Sequence, residues 1–339
     1  MPLRYDYKDE GTHAIGSDDP HWQESVFVHW YDLAAGLGGV HRLGHEANRD
    51  GGRAALQCAL FRADGLRYSR SDDELPLEEP TSERGFRAGG SNWHVDGAVP
   101  RIEVHEPGLD LELELHDFYP ITSFFPSDGS LVEEFAAHHY ESSGRAVGTA
   151  TVEGETVPIE ATFHRDHSWG VRKTETLLTH RWVSGSFGPE LSFGSTVWHA
   201  ADGSFVKVGY VVRDGEITFA EDVDVLTWLE ADGYTHRGGV VTWYLRGGEE
   251  LRLECHRSTR WSRSCTRPST WTRSAGSSTA ARSACATSRS ATTRATAAGR
   301  RAWRWPPTAR TASAAADSRG AALGGGGGRW LCGGGTLGA

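Results

Sequence analysis

The sequence predicts an all-β protein built from antiparallel barrels. Three observations carry that expectation: apolar residues alternate with polar ones, turn signals separate the alternating runs, and helix-period segments are nearly absent. The clearest run is 109–116, where Leu109, Leu111, Leu113 and Leu115 alternate with Asp110, Glu112, Glu114 and His116. A period of two places the leucines on one face of a half-buried strand. Segments 25–31, 54–61, 101–106, 157–164, 177–186, 191–199, 205–213, 240–245 and 250–255 also read as strands. Asp64-Gly65, Asp202-Gly203, Asp214-Gly215 and Gly247-Gly248 supply hairpin turns between them. Many strands joined by frequent turns favour a barrel or sandwich over an α/β fold. Segment 131–140 has the pattern of a short helix, and 71–79, acidic and proline-containing, reads as a loop.

Composition divides the chain. Residues 1–256 hold 21 basic and 44 acidic side chains, whereas 257–339 hold 14 Arg, no Lys and the single acid Asp317. An acidic body is a poor partner for nucleic acid or an anionic membrane. After His256 there is no Val, Ile, Phe, Tyr, Met or His. Such a segment cannot bury enough apolar surface to offset its ordering entropy. Arg, Ala, Ser and Gly are what shifted codons of a GC-rich gene yield. Permitted codons for 257–275, shifted by two bases, can read VDEVVPELHPAEYVDEVG, in which acids and β-formers return. The expected organisation is therefore a first barrel over 1–168, the start of a second over 169–256, and a frameshifted, disordered tail over 257–339. That tail would leave the second barrel truncated.

The N-terminus lacks a basic region followed by an apolar stretch, and no apolar run approaches a membrane span. The body contains only Cys58 and Cys255, which suits a reducing cytoplasm.

The densest chemical cluster is His164-Arg165-Asp166-His167-Ser168-Trp169-Gly170, at the end of one β run and before the next. Asp and His can relay a proton, and Trp can line an apolar pocket and face a cation. The same residues could equally tie a strand junction together. A second cluster is His29-Trp30-Tyr31-Asp32, followed after the glycine-rich bend 36–39 by His41 and His45. In alternation His29 and Tyr31 share one face and Trp30 the other, while His41 and His45 share a face. Tyr140, after His138 and His139, and the pair His180 and Trp182 repeat the theme. All 16 His lie within 1–256, yet no HExxH, CxxC or cupin-like ligand spacing is present, so no metal is expected. Dinucleotide and nucleophile-elbow motifs are also missing. Eight Trp in the body suit either core packing or a pocket for a large apolar ligand.

The run His-Arg-Asp-His-Ser-Trp-Gly at 164–170 resembles the Asp-His-x-Trp-Gly signature of the hydroxyneurosporene synthase (carotenoid hydratase) and AttH-like superfamily. Segment 24–46, ESVFVHWYDLAAGLGGVHRLGHE, is similar to the first strands of uncharacterised members. The resemblance covers most of 20–256, and Asp166, His167, Trp169 and Gly170 match the signature. It implies two lipocalin-like antiparallel barrels. It also implies cofactor-free hydration, isomerisation or cyclisation of an isoprenoid- or polyketide-like molecule. The alternative is a non-catalytic carrier of a lipophilic ligand. On the enzyme reading Asp166 and His167 form the acid–base pair and Trp169 shapes the pocket. His29, Trp30, Tyr31, His41, His45, Tyr140, His180 and Trp182 would contact the ligand. The expected partner is a hydrophobic small molecule, with neither nucleic acid nor cofactor.

Overall fold

In the computed structural model the described residues are 5, 7–62, 64–78, 85–123, 138–173, 177–233, 236–257, 289–294 and 330–335. Apart from one 3-10 turn, Tyr7–Glu10, their regular elements are antiparallel strands. The first sheet contains β1 (Trp22–Asp32), β2 (Leu37–Glu46), β3 (Arg53–Arg62), β4 (Gly65–Pro76), β5 (Gly85–Ala88), β6 (Ser91–Asp96), β7 (Val99–Glu106), β8 (Leu109–Asp117), β9 (Thr122–Ser123), β10 (His138–Val152) and β11 (Glu155–Val171). Its order is β4-β3-β2-β1-β11-β10-β8-β7-β6-β5, with β9 added on β10. End strand β5 lies against β2 and β3, so the sheet curls into a near-barrel. The second contains β12 (Leu177–Ser186), β13 (Leu191–Ala200), β14 (Phe205–Arg213), β15 (Glu216–Leu229), β16 (His236–Leu245), β17 (Glu249–Arg257), β18 (Arg289–Arg294) and β19 (Trp330–Gly335), closed in that order. This is the all-β, two-barrel lipocalin-like architecture that the alternating pattern and the family resemblance implied. Among the described residues no helix is long and apolar enough to cross a membrane.

Alternation builds the first core. Leu109, Leu111, Leu113 and Leu115 are all buried, whereas Asp110 and Glu112 are exposed. The leucines pack with Val28, Trp30, Leu56, Trp93 and Phe163 inside the sheet. Burial of each such side chain contributes about 1.5–3 kcal/mol. Only a small cavity of about 10 Å³ remains beside Val26, Leu43, Leu56, Trp93 and Val104. A smaller core, with Leu191, Phe193, Val211, Val223 and Trp243, fills the second barrel.

Four local expectations need correction. Residues 71–76 are strand, not loop: they continue β4, with Leu56 opposite Asp72 and Ala54 opposite Leu75. Because β4 is the free end of the sheet, acids and Pro76 cost no ladder partner there and discourage edge pairing. Gly38 and Gly39 lie within β2 and not in a bend. A Cβ on Gly38 would meet the Tyr31 ring at 2.6 Å, and one on Gly39 the Trp30 indole at 2.6 Å. The expected boundary between 168 and 169 falls inside β11, which stays paired with β1 as far as Val171 opposite Trp22. The sheet changes between Val171 and Leu177. Finally, two tail segments are strands. Arg289–Arg294 pairs with β17, and Trp330–Gly335 pairs with β18 and β12. Backbone pairing is sequence-tolerant, and the edges of β17 and β12 offer unmatched N–H and C=O groups to any chain. The remainder of the tail, and 131–137 of the expected helix, lie outside the described residues; 138–140 open β10.

Strand β10 also contains a glycine that its neighbours require. A Cβ on Gly144 would lie 2.2 Å from the His116 carbonyl oxygen and 2.6 Å from the Phe163 ring. Gly144→Ala must therefore spread the β8–β10 pair, at an expected cost of about 1–3 kcal/mol. A urea melt would show the midpoint falling; an unchanged midpoint would mean that the strands separate freely here.

Candidate functional site

The long β10–β11 hairpin carries the chemistry on both its faces. Successive side chains on a strand point to opposite sides. Arg165, His167 and Trp169 therefore turn into the first barrel, while His164, Asp166 and Ser168 turn toward the second. Register lines up their neighbours. Arg42, Phe27, Asp166 and Glu141 form one row across β2, β1, β11 and β10. Val40, His29, His164 and Ser143 form another row on the same face.

On the outer face Glu141 is the anchor, and it is fully buried between the barrels. Its Oε1 accepts from the Trp182 indole N–H at 2.9 Å and from His139 Nε2 at 3.3 Å. Its Oε2 accepts from the Tyr210 hydroxyl at 2.9 Å and from His164 Nε2 at 3.1 Å. Burial alone would raise its pKa, but the charge of His164 and the histidine hydrogen bonds outweigh that and hold it at about 2. Four donors occupy the carboxylate, so it is a fixed anion. Asp166, half-buried and opposite it in register, behaves in the reverse sense: burial, with the Glu141 charge adding, pushes its carboxyl up against the pull of His139 and Arg172. His29 bonds Ser184 through Nε2 at 3.1 Å, and burial holds it neutral, with its pKa lowered to about 3. His180 is likewise lowered to about 3, chiefly by burial, and bonds Thr196. Trp182 packs edge-on against Phe27 at 5.2 Å between centroids.

The Glu141 anchor makes an acid-stability prediction. Its pKa falls from an ordinary 4.5 to about 2 on folding. The stabilisation, about 3 kcal/mol, is therefore present above pH 4.5 and lost as pH falls through 2. Melts of wild type and Glu141→Gln between pH 7 and pH 2 should converge toward the acid end. Parallel curves would show that Glu141 does not drive acid unfolding.

On the inner face a continuous polar chain crosses the barrel. The Arg165 guanidinium grips Glu10 at 2.7 and 2.9 Å and Asp117 at 2.7 and 3.0 Å. Glu10 also accepts from the Tyr140 hydroxyl at 2.5 Å. That donation uses the hydroxyl's single proton, so His167 Nδ1, at 3.0 Å, donates to the Tyr140 oxygen. His167 Nε2 lies 3.0 Å from Glu24 Oε1, and His13 Nδ1 approaches the same oxygen at 2.5 Å. Burial raises the Glu24 pKa, but the two histidines outweigh it and the net shift is downward. Trp169 stacks on His13 at 3.7 Å and on His138 at 4.8 Å. His13, Glu24 and His167 present donor atoms that all lie within 4.8 Å of one another, the one such group among the described residues.

The expected residues thus separate onto two faces. Asp166, His29, His180 and Trp182 meet at the barrel boundary. His167, Trp169 and Tyr140 stand inside the first barrel, so Asp166 and His167, adjacent in sequence, point away from each other. Trp30 is buried in the core and donates to His41 Nε2 at 3.1 Å, leaving the neutral ring's Nδ1–H for Cys58 Sγ at 3.2 Å. His45 bonds the Arg87 carbonyl at 3.2 Å and packs on Phe86, and Tyr31 stacks on Phe61. Glu141, Tyr210, Glu10, Glu24, His13 and Arg165 were not among the expected site residues. Glu141 had a local signal, an acid directly after His138-His139-Tyr140. Glu10 had none, because its partner Arg165 is 155 residues away.

Comparison with known proteins agrees with this architecture. A family model described as a domain of unknown function (DUF7064) matches residues 6–288. No curated protein matches the sequence. Among solved structures the chain is similar to an AttH-type protein of Nitrosomonas europaea, at 14% identity and a TM-score of 0.58, covering 77% of this chain and 86% of that one. It is similar to CghA, solved with Sch210972, at 12% identity and 0.55, covering 86% and 87%. It is also similar to kievitone hydratase from Nectria haematococca, at 9% identity and 0.55, covering 92% and 87%. At these identities the likeness is one of fold, and it is the fold that the hydroxyneurosporene synthase and AttH-like resemblance implied.

Proposed function

The chain belongs to the DUF7064 family, and from that premise we propose that it acts on a lipophilic small molecule at the boundary between its barrels, by acid–base chemistry centred on Asp166. The observation that carries this reading is the pair Glu141 and Asp166, opposite in register, with one carboxyl held low and the other pushed up. Environments that drive two titratable groups apart assign one as the fixed charge and the other as the proton donor. Asp166 gives its proton to a ligand double bond. Phe27 and Trp182 present π faces to the cationic carbon that results. Water or an internal nucleophile adds there, and its proton returns to the Asp166 carboxylate. Glu141 does not trap the cation, because four donors already occupy its oxygens. Arg172 and Arg42 lie close enough to act on the Asp166 charge and supply donors for an oxygen substituent of the ligand. Two fold relatives support the direction of this reading: one is named a hydratase and another was crystallised with a small molecule.

Binding is tested apart from turnover. A panel of polyenes, fatty acids and cyclic polyketides should change Trp emission saturably, and Trp182→Phe should remove most of the change. No saturable response across the panel would overturn the binding site. Saturable binding with no chemical change in any bound ligand would favour a carrier.

A further inference from the structure

We propose that His13, Glu24 and His167 form a site for a divalent transition-metal cation of the zinc class, on the inner face of the first barrel. The site does not depend on the proposed function, because β11 separates it from Asp166. Two imidazoles and one carboxylate are a donor set that such cations take, and three protein ligands leave a fourth position open. His13 Nδ1 and His167 Nε2 both converge on Glu24 Oε1, at 2.5 and 3.0 Å. Tetrahedral bonds of about 2.0–2.1 Å separate donors by roughly 3.3 Å, so each imidazole nitrogen draws back from Glu24 Oε1 by less than about 1 Å, while the two nitrogens, within 4.8 Å of each other, settle at the same spacing. The cation would take the place of the N–H protons that now point at that oxygen.

The surroundings hold each ligand in place. His167 is oriented through Nδ1 by Tyr140, which bonds Glu10, which is gripped by Arg165. Hydrogen-bonded outer partners of this type fix ring orientation and raise ligand basicity. Glu24 accepts the His13 backbone N–H at 2.9 Å through Oε2 and at 3.2 Å through Oε1, which fixes the carboxylate with Oε1 beside the imidazoles. Trp169 stacks flat on the His13 ring, with 7° between the planes. His13 lies on the segment before β1 and its side chain is 22% exposed, whereas Glu24 and His167 are 1% and 0% exposed. Among the three ligands, therefore, only His13 gives solvent access to the site.

The full chain, stripped with a chelator and dialysed, is titrated with Zn²⁺ by calorimetry and with Co²⁺ by visible absorbance. One equivalent of saturable binding is expected, with the intense d–d bands of a low-coordinate cobalt site. His13→Ala removes the one partly exposed ligand, so it should fold as wild type by thermal melt and lose both the heat and the bands. Tyr140→Phe should weaken binding by about 10–100-fold. The absence of saturable binding would overturn the proposal. So would unchanged affinity in folded His13→Ala, since the metal would then lie on other histidines or on the cysteines.

Discussion

Asp166→Asn is expected to lower turnover by about 10²–10⁴-fold while the protein melts at or slightly above the wild-type temperature. The amide keeps the shape of the carboxyl and removes its proton. The direction of the stability change follows from linkage. A carboxyl whose pKa rises on folding is destabilising once ionised: stability falls as pH increases from its unfolded value through its folded one. Burial and the neighbouring Glu141 charge raise Asp166 in this way, so replacing the titrating carboxyl by an amide removes that cost above its unfolded value. Glu141→Gln should do the opposite and destabilise, because its pKa is lowered and all four donors have settled on it. Opposite signs at two carboxyls in one register pair distinguish a site held at a cost in stability from a structural anchor. The decisive measurement is a melt and a ligand titration beside the rate, once the ligand panel yields a substrate. Full activity in folded Asp166→Asn would remove this residue from the mechanism. A fall in melting temperature together with binding would identify a junction pair instead.

The largest stability effect is expected at Arg165. It is fully buried, and its guanidinium is shared between two carboxylates that are themselves nearly inaccessible. Replacing such an ion cluster as a whole can be neutral, but removing one partner leaves uncompensated charge, at a cost of about 3–5 kcal/mol. Arg165→Met strands both Glu10 and Asp117. The disturbance should also spread, because Glu10 holds Tyr140 and Tyr140 holds His167. Arg165→Lys retains the charge but lacks the planar fork that reaches both acids, so it should fall between Met and wild type. Urea denaturation gives the ranking. A wild-type midpoint in Arg165→Met would show that the cluster is not needed for folding.

Sequence alone was enough for much that rests on local rules, though the same rules misread 71–76 as loop and Gly38-Gly39 as a bend. Leu109 to Leu115 alternate because a strand must turn one face to the core, and the structure buries all four. The first β11 residues, the turn glycines and the abrupt change after His256 were legible for the same reason, since period, turn chemistry and composition are properties of neighbours in the chain. The signature at 164–170 pointed to the right strand, yet its two faces could not be assigned roles. Alternation tells that Asp166 and His167 diverge; it does not tell what waits on either side. Glu141 comes to Asp166's side through the β10–β11 register, and Tyr210 only because the second barrel packs there; Glu24 comes to His167's side through the β1–β11 pairing, and Glu10 and His13 only because the N-terminal segment enters the first barrel. Burial then decides the chemistry: the same carboxyl group is a fixed anion at Glu141, where four donors outweigh desolvation, and a raised acid at Asp166, where they do not. Desolvation and long-range charge have no signature in the local sequence, so which carboxyl anchors and which can give up a proton was decided by tertiary structure.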